Sequence, residues 1–489
     1  MMIQGAVSAL APAGGRGGLV DISSPVDIVV ESAGATAPAG SLVLSAAELN
    51  AFGAESLLIG GTRSTTAQGT ALAVQTDNIT VNNAGTPLAG AEIILASNTS
   101  LTLAPGAAID QTGVLATGAD ALLLGNATAV GSGDGTLLRV SSDPTAQIAR
   151  RGVSPATTPA MTIGAGARVS GASVTLDSTS ATTLSATANL TGKALALDSG
   201  SITLQLGNAG NVPATAGLSL SGAALTGLQS AQSLSLLSYS SIDIYGTGAI
   251  GAVDATGQPT FASLALHAGE IRGFNSAGGT VSFAAKDILL DNSASARAPG
   301  ANAAASGTLT FAAGTLRFGA NQLAIDQFQN VVFNATGGVL GQGTGGLAVQ
   351  GNVTLTTPLV TGATASSQSL TASGALTLAG AGSNATVTPG LGAALALTGA
   401  SLSANSTITL PSGSLSLRAT GGDLAVADAG RLDVSGTTQT FYDLTKHTDG
   451  GQLSLTADAG AVNLARGSIL TVAAPASDAN AGTISVAAP

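Results

Sequence analysis

Apolar and polar residues alternate along most of the chain, in short runs separated by small turn residues. One face of each run is apolar and the other carries mostly Ser, Thr or Asp, as in residues 41–44, 201–206, 241–245, 280–283, 308–311 and 483–486. Alternation with a period of two residues is typical of half-buried β-strands. We therefore predict many short strands of about 4 to 6 residues, with turns between them.

Helices are predicted to be few. Ala and Leu favour helices, but Gly, Ser and Thr interrupt their runs, and the period is two residues rather than about 3.6. One short helix is predicted near residues 45–52, because Ser45 and Glu48 form a capping-box pattern before Leu49 and Phe52. Gly53 would end it. At most one or two short helices are expected.

Residues 414–436 and 452–474 repeat the same pattern. The positions that match between the two copies are Leu415 with Leu453, Leu417 with Leu455, Ala419 with Ala457, Gly422 with Gly460, Leu424 with Val462, Val426 with Leu464, Leu432 with Leu470 and Val434 with Val472. A unit this small cannot bury its own apolar face, so it must stack on similar neighbours. The repeat therefore predicts an all-β fold, a parallel β-helix or β-solenoid.

Irregular stretches divide the predicted solenoid into segments. Residues 1–140 are predicted to be β-helical, residues 141–160 to be an irregular excursion containing several prolines, and residues 161–436 to be β-helical with a projecting loop near 291–307. Residues 437–451 are predicted to be an inserted loop, and residues 452–489 to be further coils. Since residues 483–489 repeat only the opening strand of a coil, we expect a truncated array that belongs to a longer protein.

Composition narrows the classes of function. Only 8% of the 489 residues are charged and 2% are aromatic, while 45% are hydrophobic, which indicates a thin core of Leu, Val, Ile and Ala rather than disorder. A net charge of −11 disfavours nucleic acid as a partner. The absence of cysteine excludes disulfides and thiolate metal sites. Neither a transmembrane run nor a signal peptide is visible.

Candidate catalytic groups are sparse. His267, Glu270 and Arg272 lie close together, and Glu270 and Arg272 would share a strand face, where an exposed ion pair is the favoured interpretation. Residues 341–346 match G-x-G-x-x-G, but a strand-like run follows instead of a helix, so they are interpreted as turn glycines. We predict no catalytic residue, cofactor or metal site.

Two places are predicted to contact a partner. The loop at 437–451 concentrates Phe441, Tyr442 and His447 in a chain poor in aromatics, and inserted loops of repeat proteins often bind partners. Packing of this loop against the solenoid is the alternative. The second place is the outward face around Tyr239, Asp243 and Tyr245, where a sugar could stack or where the side chains could form a simple cross-strand ladder.

Several phrases resemble filamentous haemagglutinin-type proteins, the large bacterial exoproteins of two-partner secretion. They are GGRGGLVDIS from Gly14, LSAAELNAFGAESLLIGG from Leu44, AEIILA from Ala91, SYSSIDIYGTG from Ser238 and DGGQLSLTADAG from Asp449. They are similar to a C-terminal conserved region of one subfamily. The N-terminal secretion domain of the family, with its Asn-Pro-Asn type motif, has no counterpart here, and no Arg-Gly-Asp motif occurs.

The resemblance implies a right-handed parallel β-helix and export of the parent protein through an outer-membrane secretion transporter. It also implies a secreted, cell-surface location and a role in adhesion, aggregation or as a stalk. Carbohydrate or other cell-surface ligands are the expected partners, and exposed solenoid ends are expected to self-associate. The alternatives are a polysaccharide-active β-helix enzyme and a carrier stalk for a downstream toxin domain.

Overall fold

The chain forms two compact units of mostly parallel strands; most of the described strands have 3 to 6 residues, but five have 11 or 12 and are longer than predicted. A computed structural model describes residues 7–12, 15–32, 39–125, 133–154, 156–253, 259–382 and 384–489. Unit 1 comprises Met1–Gln205 and Val212–Tyr239, and unit 2 comprises Leu206–Asn211 and Ser240–Pro489. The predicted all-β parallel β-solenoid is confirmed. The boundary between the units falls inside the predicted segment 161–436.

Unit 1 contains the first 21 strands that the structure describes. They are β1 (Leu19–Ile22), β2 (Ile28–Glu31), β3 (Leu42–Ser45), β4 (Ser56–Ile59), β5 (Gly61–Thr66), β6 (Gly69–Val74), β7 (Asn78–Asn82), β8 (Leu88–Gly90), β9 (Glu92–Ser97), β10 (Ser100–Leu103), β11 (Ala108–Gln111), β12 (Leu122–Leu124), β13 (Thr136–Ser141), β14 (Ile148–Arg150), β15 (Ala160–Ile163), β16 (Arg168–Ser178), β17 (Ala181–Leu184), β18 (Asn189–Ser199), β19 (Ile202–Gln205), β20 (Leu218–Ser221) and β21 (Ser233–Ser238).

Unit 1 departs from a plain solenoid in two ways. Strand β13 runs antiparallel between β9 and β16, whereas the neighbouring pairs β4–β9 and β16–β18 are parallel. A separate four-stranded sheet, β5, β6, β12 and β14, lies against the face of β4, β9 and β13. The apolar side chains between the two layers are Leu58, Leu72, Ile94, Ala96, Leu122, Leu124 and Leu137. This second layer explains why β4, β9 and β13 are buried on both faces.

The described residues contain two short helices, both in unit 1. The predicted helix is present as α1 (Ala46–Ala51), and the side chain of Ser45 accepts a hydrogen bond from the backbone N–H of Glu48. Gly53 follows at a φ of 62°, a conformation that glycine adopts easily. The second helix, α2 (Gly222–Leu228), has no side-chain cap and buries Leu225 and Leu228. The sequence before α2 contains no helix-start pattern as clear as the capping box of α1.

Unit 2 contains the remaining 25 described strands. They are β22 (Ser241–Tyr245), β23 (Gly248–Ile250), β24 (Ser263–His267), β25 (Glu270–Phe274), β26 (Thr280–Asp291), β27 (Thr308–Phe318), β28 (Asn321–Asp326), β29 (Asn330–Gly341), β30 (Thr344–Val349), β31 (Asn352–Thr356), β32 (Leu359–Gly362), β33 (Ser367–Ala372), β34 (Leu376–Ala379), β35 (Ala394–Gly399), β36 (Leu402–Asn405), β37 (Thr407–Thr409), β38 (Ser414–Ala419), β39 (Leu424–Val426), β40 (Arg431–Asp433), β41 (Thr438–Phe441), β42 (Leu444–His447), β43 (Gln452–Ala457), β44 (Val462–Leu464), β45 (Ile469–Thr471) and β46 (Thr483–Ala487).

Successive coils of unit 2 stack in register. Along one sheet, the inward residues that pair from strand to strand are Leu323, Leu347, Leu370, Leu397, Leu417, Leu455 and Val486. The repeat found in the sequence gives the observed pairing, because Leu415 opposes Leu453, Leu424 opposes Val462 and Leu432 opposes Leu470. A Cβ on Gly451 would lie 1.9 Å from the carbonyl oxygen of Gly413, so close approach of the coils requires glycine there.

A stack of phenylalanines fills the interior of unit 2. Phe283, Phe311 and Phe333 occupy one register position on β26, β27 and β29. Ring centroids lie 5.5 Å apart for Phe283 and Phe311 and 5.3 Å apart for Phe311 and Phe333. Leu355 and Leu378 continue the position on β31 and β34. The core is thus a column of like side chains, one from each coil.

The predicted irregular stretches have the following structures. Between Ser141 and Ala160, the described residues include only the short strand β14 besides the ends of β13 and β15, and Pro155 lies outside the described residues. Residues 292–307 connect β26 to β27 without regular structure. Residues 438–447 form an antiparallel hairpin of β41 and β42.

Candidate functional site

The hairpin of β41 and β42 presents an aromatic side chain to solvent. Phe441 pairs with Leu444, so Tyr442 and Asp443 form a two-residue turn. The side chain of Tyr442 is fully exposed, and that of Leu444 is 52% exposed. The surroundings of the Phe441 side chain lie outside what the structure describes. The exposure of Tyr442 and Leu444 argues against the alternative in which this loop packs its apolar residues onto the solenoid.

Tyr442 adopts a backbone conformation that favours glycine. Its φ is 55°, in the left-handed region. A hairpin turn with positive φ at its first central position usually has Gly there, since a residue with a Cβ is less stable in this conformation by roughly 1–2 kcal/mol. Such strain tends to persist at sites where the side chain is needed. Tyr442 is thus one of several non-glycine residues with positive φ, together with Ala277, Gln327 and Ala365, and it is the one that carries an exposed aromatic ring among the described residues.

Hydrogen bonds hold the base of the hairpin. The N–H of Thr448 donates to the carbonyl oxygen of Thr437 at 3.0 Å, and the hydroxyl groups of Thr448 and Ser412 lie 2.6 Å apart. His447 Nδ1 lies 2.9 Å from the Thr438 hydroxyl, and its Nε2 is 3.7 Å from the Asp478 carboxylate. His447 therefore belongs to the stem, whereas Tyr442 forms the open tip.

The aromatic side chains elsewhere contrast with Tyr442. No other aromatic side chain in the described part of the chain is exposed; all of them are buried or partly buried. In unit 1, the hydroxyl of Tyr239 donates to Asp177 at 3.1 Å, and burial raises the pKa of this phenol well above its ordinary value. Tyr239 was predicted to contact a partner. In the structure its side chain belongs to a buried polar cluster that also contains Arg150 and Asp198.

The predicted sugar platform at Asp243 and Tyr245 is not open in the structure. Tyr245 is 7% exposed, and its ring stacks on that of Phe274 at a centroid distance of 4.7 Å. The carboxylate of Asp243 accepts two hydrogen bonds from the Arg272 guanidinium, at 2.8 and 2.9 Å. The side chains on this face instead form the cross-strand ladder given above as the alternative, with Asp243 opposite Arg272 and Tyr245 opposite Phe274.

The prediction of an exposed ion pair between Glu270 and Arg272 is wrong. Arg272 pairs with Asp243 on the adjacent strand, and Glu270 is fully buried. Burial raises the pKa of Glu270 to about 7, and the carboxyl group of Asp326 beside it acts in the same direction. His267 forms a separate contact with the carboxylate of Asp291 at 2.5 Å.

Sequence reasoning missed Asp326. It ends the alternating run of β28, and the pairing of Arg272 with Asp326 places it diagonally next to Glu270. The alternation predicts that the Asp326 side chain faces outward. It does not predict that Glu270 lies next to it, because this depends on the pairing of β25 with β28, and β26 and β27 lie between these two strands in the sequence.

The carboxyl pair does not resemble a glycosidase centre. Glycosidases hold their two carboxyl groups about 5 Å or more apart, with the sugar between them, whereas Asp326 lies against Glu270. Residues 292–307 also cover the pair, since the N–H of Gly300 donates to Glu270 at 2.7 Å. Within the described ranges, no group of three or more His, Asp or Glu is placed to hold a metal ion.

A polar groove lies on the outer face of β38, β43 and β46. It has a volume of about 410 Å³ and is lined by Leu415 and Leu453 and by the polar residues Ser414, Ser416, Gln452, Ser454, Thr483 and Ser485. None of these side chains titrates in the physiological range. The groove offers hydrogen bonds to a neutral ligand but no general acid or base.

Comparisons with known proteins give no match: no family model, no curated protein and no solved structure is similar to this chain. Neither of the two helices in the described part of the chain has the length and apolar character needed to cross a membrane.

Proposed function

We propose that this chain is a structural and interaction segment of a secreted, cell-surface exoprotein of the filamentous haemagglutinin type. The solenoid acts as a scaffold, and the hairpin of β41 and β42 contacts a partner in adhesion or aggregation. The observation that carries the proposal is the tip residue Tyr442, which is fully exposed and has a backbone conformation suited to glycine.

The rest of the molecule supports a scaffold rather than an enzyme. The carboxyl pair of Glu270 and Asp326 is covered, and the polar groove lacks titratable side chains. Both features favour contact with a surface over conversion of a substrate. Cell-surface carbohydrate and other surface molecules are the partners we propose, with an outer-membrane transporter exporting the parent protein. The same scaffold would serve a stalk that carries a downstream toxin domain.

Replacing Tyr442 by Cys tests the surface location. These 489 residues contain no cysteine, so membrane-impermeant maleimide label found by mass spectrometry in the peptides of this region would report on this position alone. In the full-length parent protein, expressed in the organism that encodes it, we expect Tyr442→Cys to be labelled on intact cells, because the tip is exposed. Leu455→Cys is the matched control, because Leu455 is fully buried, and it should react only after denaturation. Labelling of Tyr442→Cys only after cell lysis would contradict the proposed location.

A further inference from the structure

Residues 292–307, here called the strap, lie over the outer side of β25 in unit 2. Two close approaches define their position. A Cβ on Gly269, just before β25, would lie 2.7 Å from the carbonyl oxygen of Ala296. Further along, Gly300 contacts two side chains of β25, since its N–H donates to Glu270 at 2.7 Å and its carbonyl oxygen accepts from Arg272 at 3.4 Å.

Polar contacts hold the strap in place. Its sequence consists of Ala, Ser, Asn, Gly, Arg and Pro, so it has no large apolar side chain to bury. At one end, Asn292 bonds to the backbone of Ala296 and Gln322. At the other end, the hydroxyl groups of Ser306 and Ser276 lie 2.9 Å apart. Between these ends, the side chains of Glu270, Arg272 and Gln327 hold the strap at Gly300 and Asn302.

Glu270 is the least satisfied of these anchors. Its side chain is fully buried, and Oε1 has no N–H or other hydroxyl donor among the described residues, so only a proton shared with the Asp326 carboxyl can satisfy it. Asp326 of β28 lies against it. Arg272 of β25 is the nearest cation, but its guanidinium bonds to both carboxylate oxygens of Asp243 on β22. An ionised Glu270 therefore faces another carboxylate, shares its nearest cation with Asp243, and keeps only the N–H of Gly300 as a hydrogen-bond donor.

We propose that the strap is a pH-sensitive latch, in which a protonated Glu270 keeps the strap closed and ionisation of Glu270 releases it from β25. Release admits water to the carboxyl pair and uncovers an outer face that bears Asp243, Glu270 and Asp326. Because the ends at Asn292 and Ser306 have their own contacts, the middle of the strap around Gly300 moves first.

The direction of the pH dependence follows from the two states of the strap. In the closed state, burial and Asp326 raise the pKa of Glu270 from 4.5 to about 7. In the open state, Glu270 is solvated and its pKa returns toward the ordinary value. The closed state therefore binds the proton more tightly. Closure is fully favoured below about pH 4.5 and weakens as the pH rises through 7, by up to roughly 300-fold in the opening equilibrium, because the pKa values of the two states differ by about 2.5.

Limited trypsin digestion tests the latch, because Arg297 is a cleavage site inside the strap. The intact chain is digested between pH 5.5 and 8.5, and early peptides are quantified by mass spectrometry. Cleavage at Arg466, an exposed residue between β44 and β45, corrects for the pH dependence of trypsin. The ratio of Arg297 to Arg466 cleavage should rise at least tenfold over this range.

Two variants make the test specific. Glu270→Gln keeps a carbonyl oxygen to accept from Gly300 but cannot ionise, so its ratio should stay low at every pH. Asp326→Asn removes the neighbouring carboxyl group and lowers the closed-state pKa of Glu270, so its rise should be smaller and level off at a lower pH. A flat ratio in the unmodified chain, or the same rise in Glu270→Gln, would overturn the latch. If Glu270→Gln fails to fold by circular dichroism, an unchanged profile in Asp326→Asn overturns it instead.

Discussion

Replacing Arg139 by Met should lower the free energy of unfolding of unit 1 by about 3–5 kcal/mol. Arg139 lies between the two layers of this unit and is 1% exposed. Its Nε and Nη2 donate to one carboxylate oxygen of Glu92 at 3.0 and 2.7 Å, and the other oxygen accepts from the Ser56 hydroxyl. Removing the guanidinium leaves the buried Glu92 carboxylate without a cation, which is why the expected loss is large.

The loss should exceed that of an exposed pair in the same unit. Arg168 binds Asp110 with half of its side chain exposed, so Arg168→Met should change stability by at most about 1 kcal/mol. Hydrogen exchange of the amides of β9 and β13 under mild denaturant measures the difference. In the double variant with Glu92→Gln, part of the stability should return, because no buried charge remains. Equal effects of the two arginine substitutions would contradict the buried pair.

Replacing Phe311 by Ala should lower the free energy of unfolding of unit 2 by about 3–5 kcal/mol. Phe311 is fully buried, and its ring stacks between those of Phe283 and Phe333. Truncation removes both ring contacts and leaves a cavity in the interior. The coils above and below are fixed by their backbone pairing, so they cannot collapse to fill it.

Tyr442→Ala is the matched control for Phe311→Ala. It removes an aromatic ring from the same unit at a fully exposed position, so we expect a change within about 0.5 kcal/mol. Denaturant unfolding monitored by hydrogen exchange in β27 distinguishes the two variants. If Phe311→Ala is no more destabilising than Tyr442→Ala, the stacked aromatic core is not a principal source of stability.

The pairing of the two similar stretches, residues 414–436 and 452–474, could be predicted from the sequence because it depends on local pattern, whereas the register of the other coils could not. Alternation within a strand fixes which residues point inward, and the two similar stretches fix which strand lies on which. The pairing of Leu417 with Leu455 follows from these two facts. The antiparallel strand β13 and the covering sheet of unit 1 could not be predicted in this way. Their short strands alternate like those of the solenoid, and only tertiary packing sets their direction.

The candidate site was only partly predictable. Tyr442 was identified because aromatics are rare in this chain, and rarity can be read from a sequence. Its positive φ depends on how Phe441 and Leu444 pair, which the residue types did not reveal. Asp243 and Tyr245 were expected to face outward. Their partners Arg272 and Phe274 come from the next strand of the sheet, so their loss of exposure follows from the register and not from alternation.

Replacing Tyr442 by Gly tests the proposed function most directly. Gly suits a φ of 55° better than Tyr, so this variant should keep the hairpin fold and lose only the exposed ring. The probe is the fluorescently labelled chain retained by washed, intact cells of the organism that encodes it. Arg466→Ser, a change at an exposed position of the same unit, is the control. We predict that Tyr442→Gly is retained at least tenfold less than the unmodified chain, while Arg466→Ser is retained equally. Full retention of Tyr442→Gly would contradict the account.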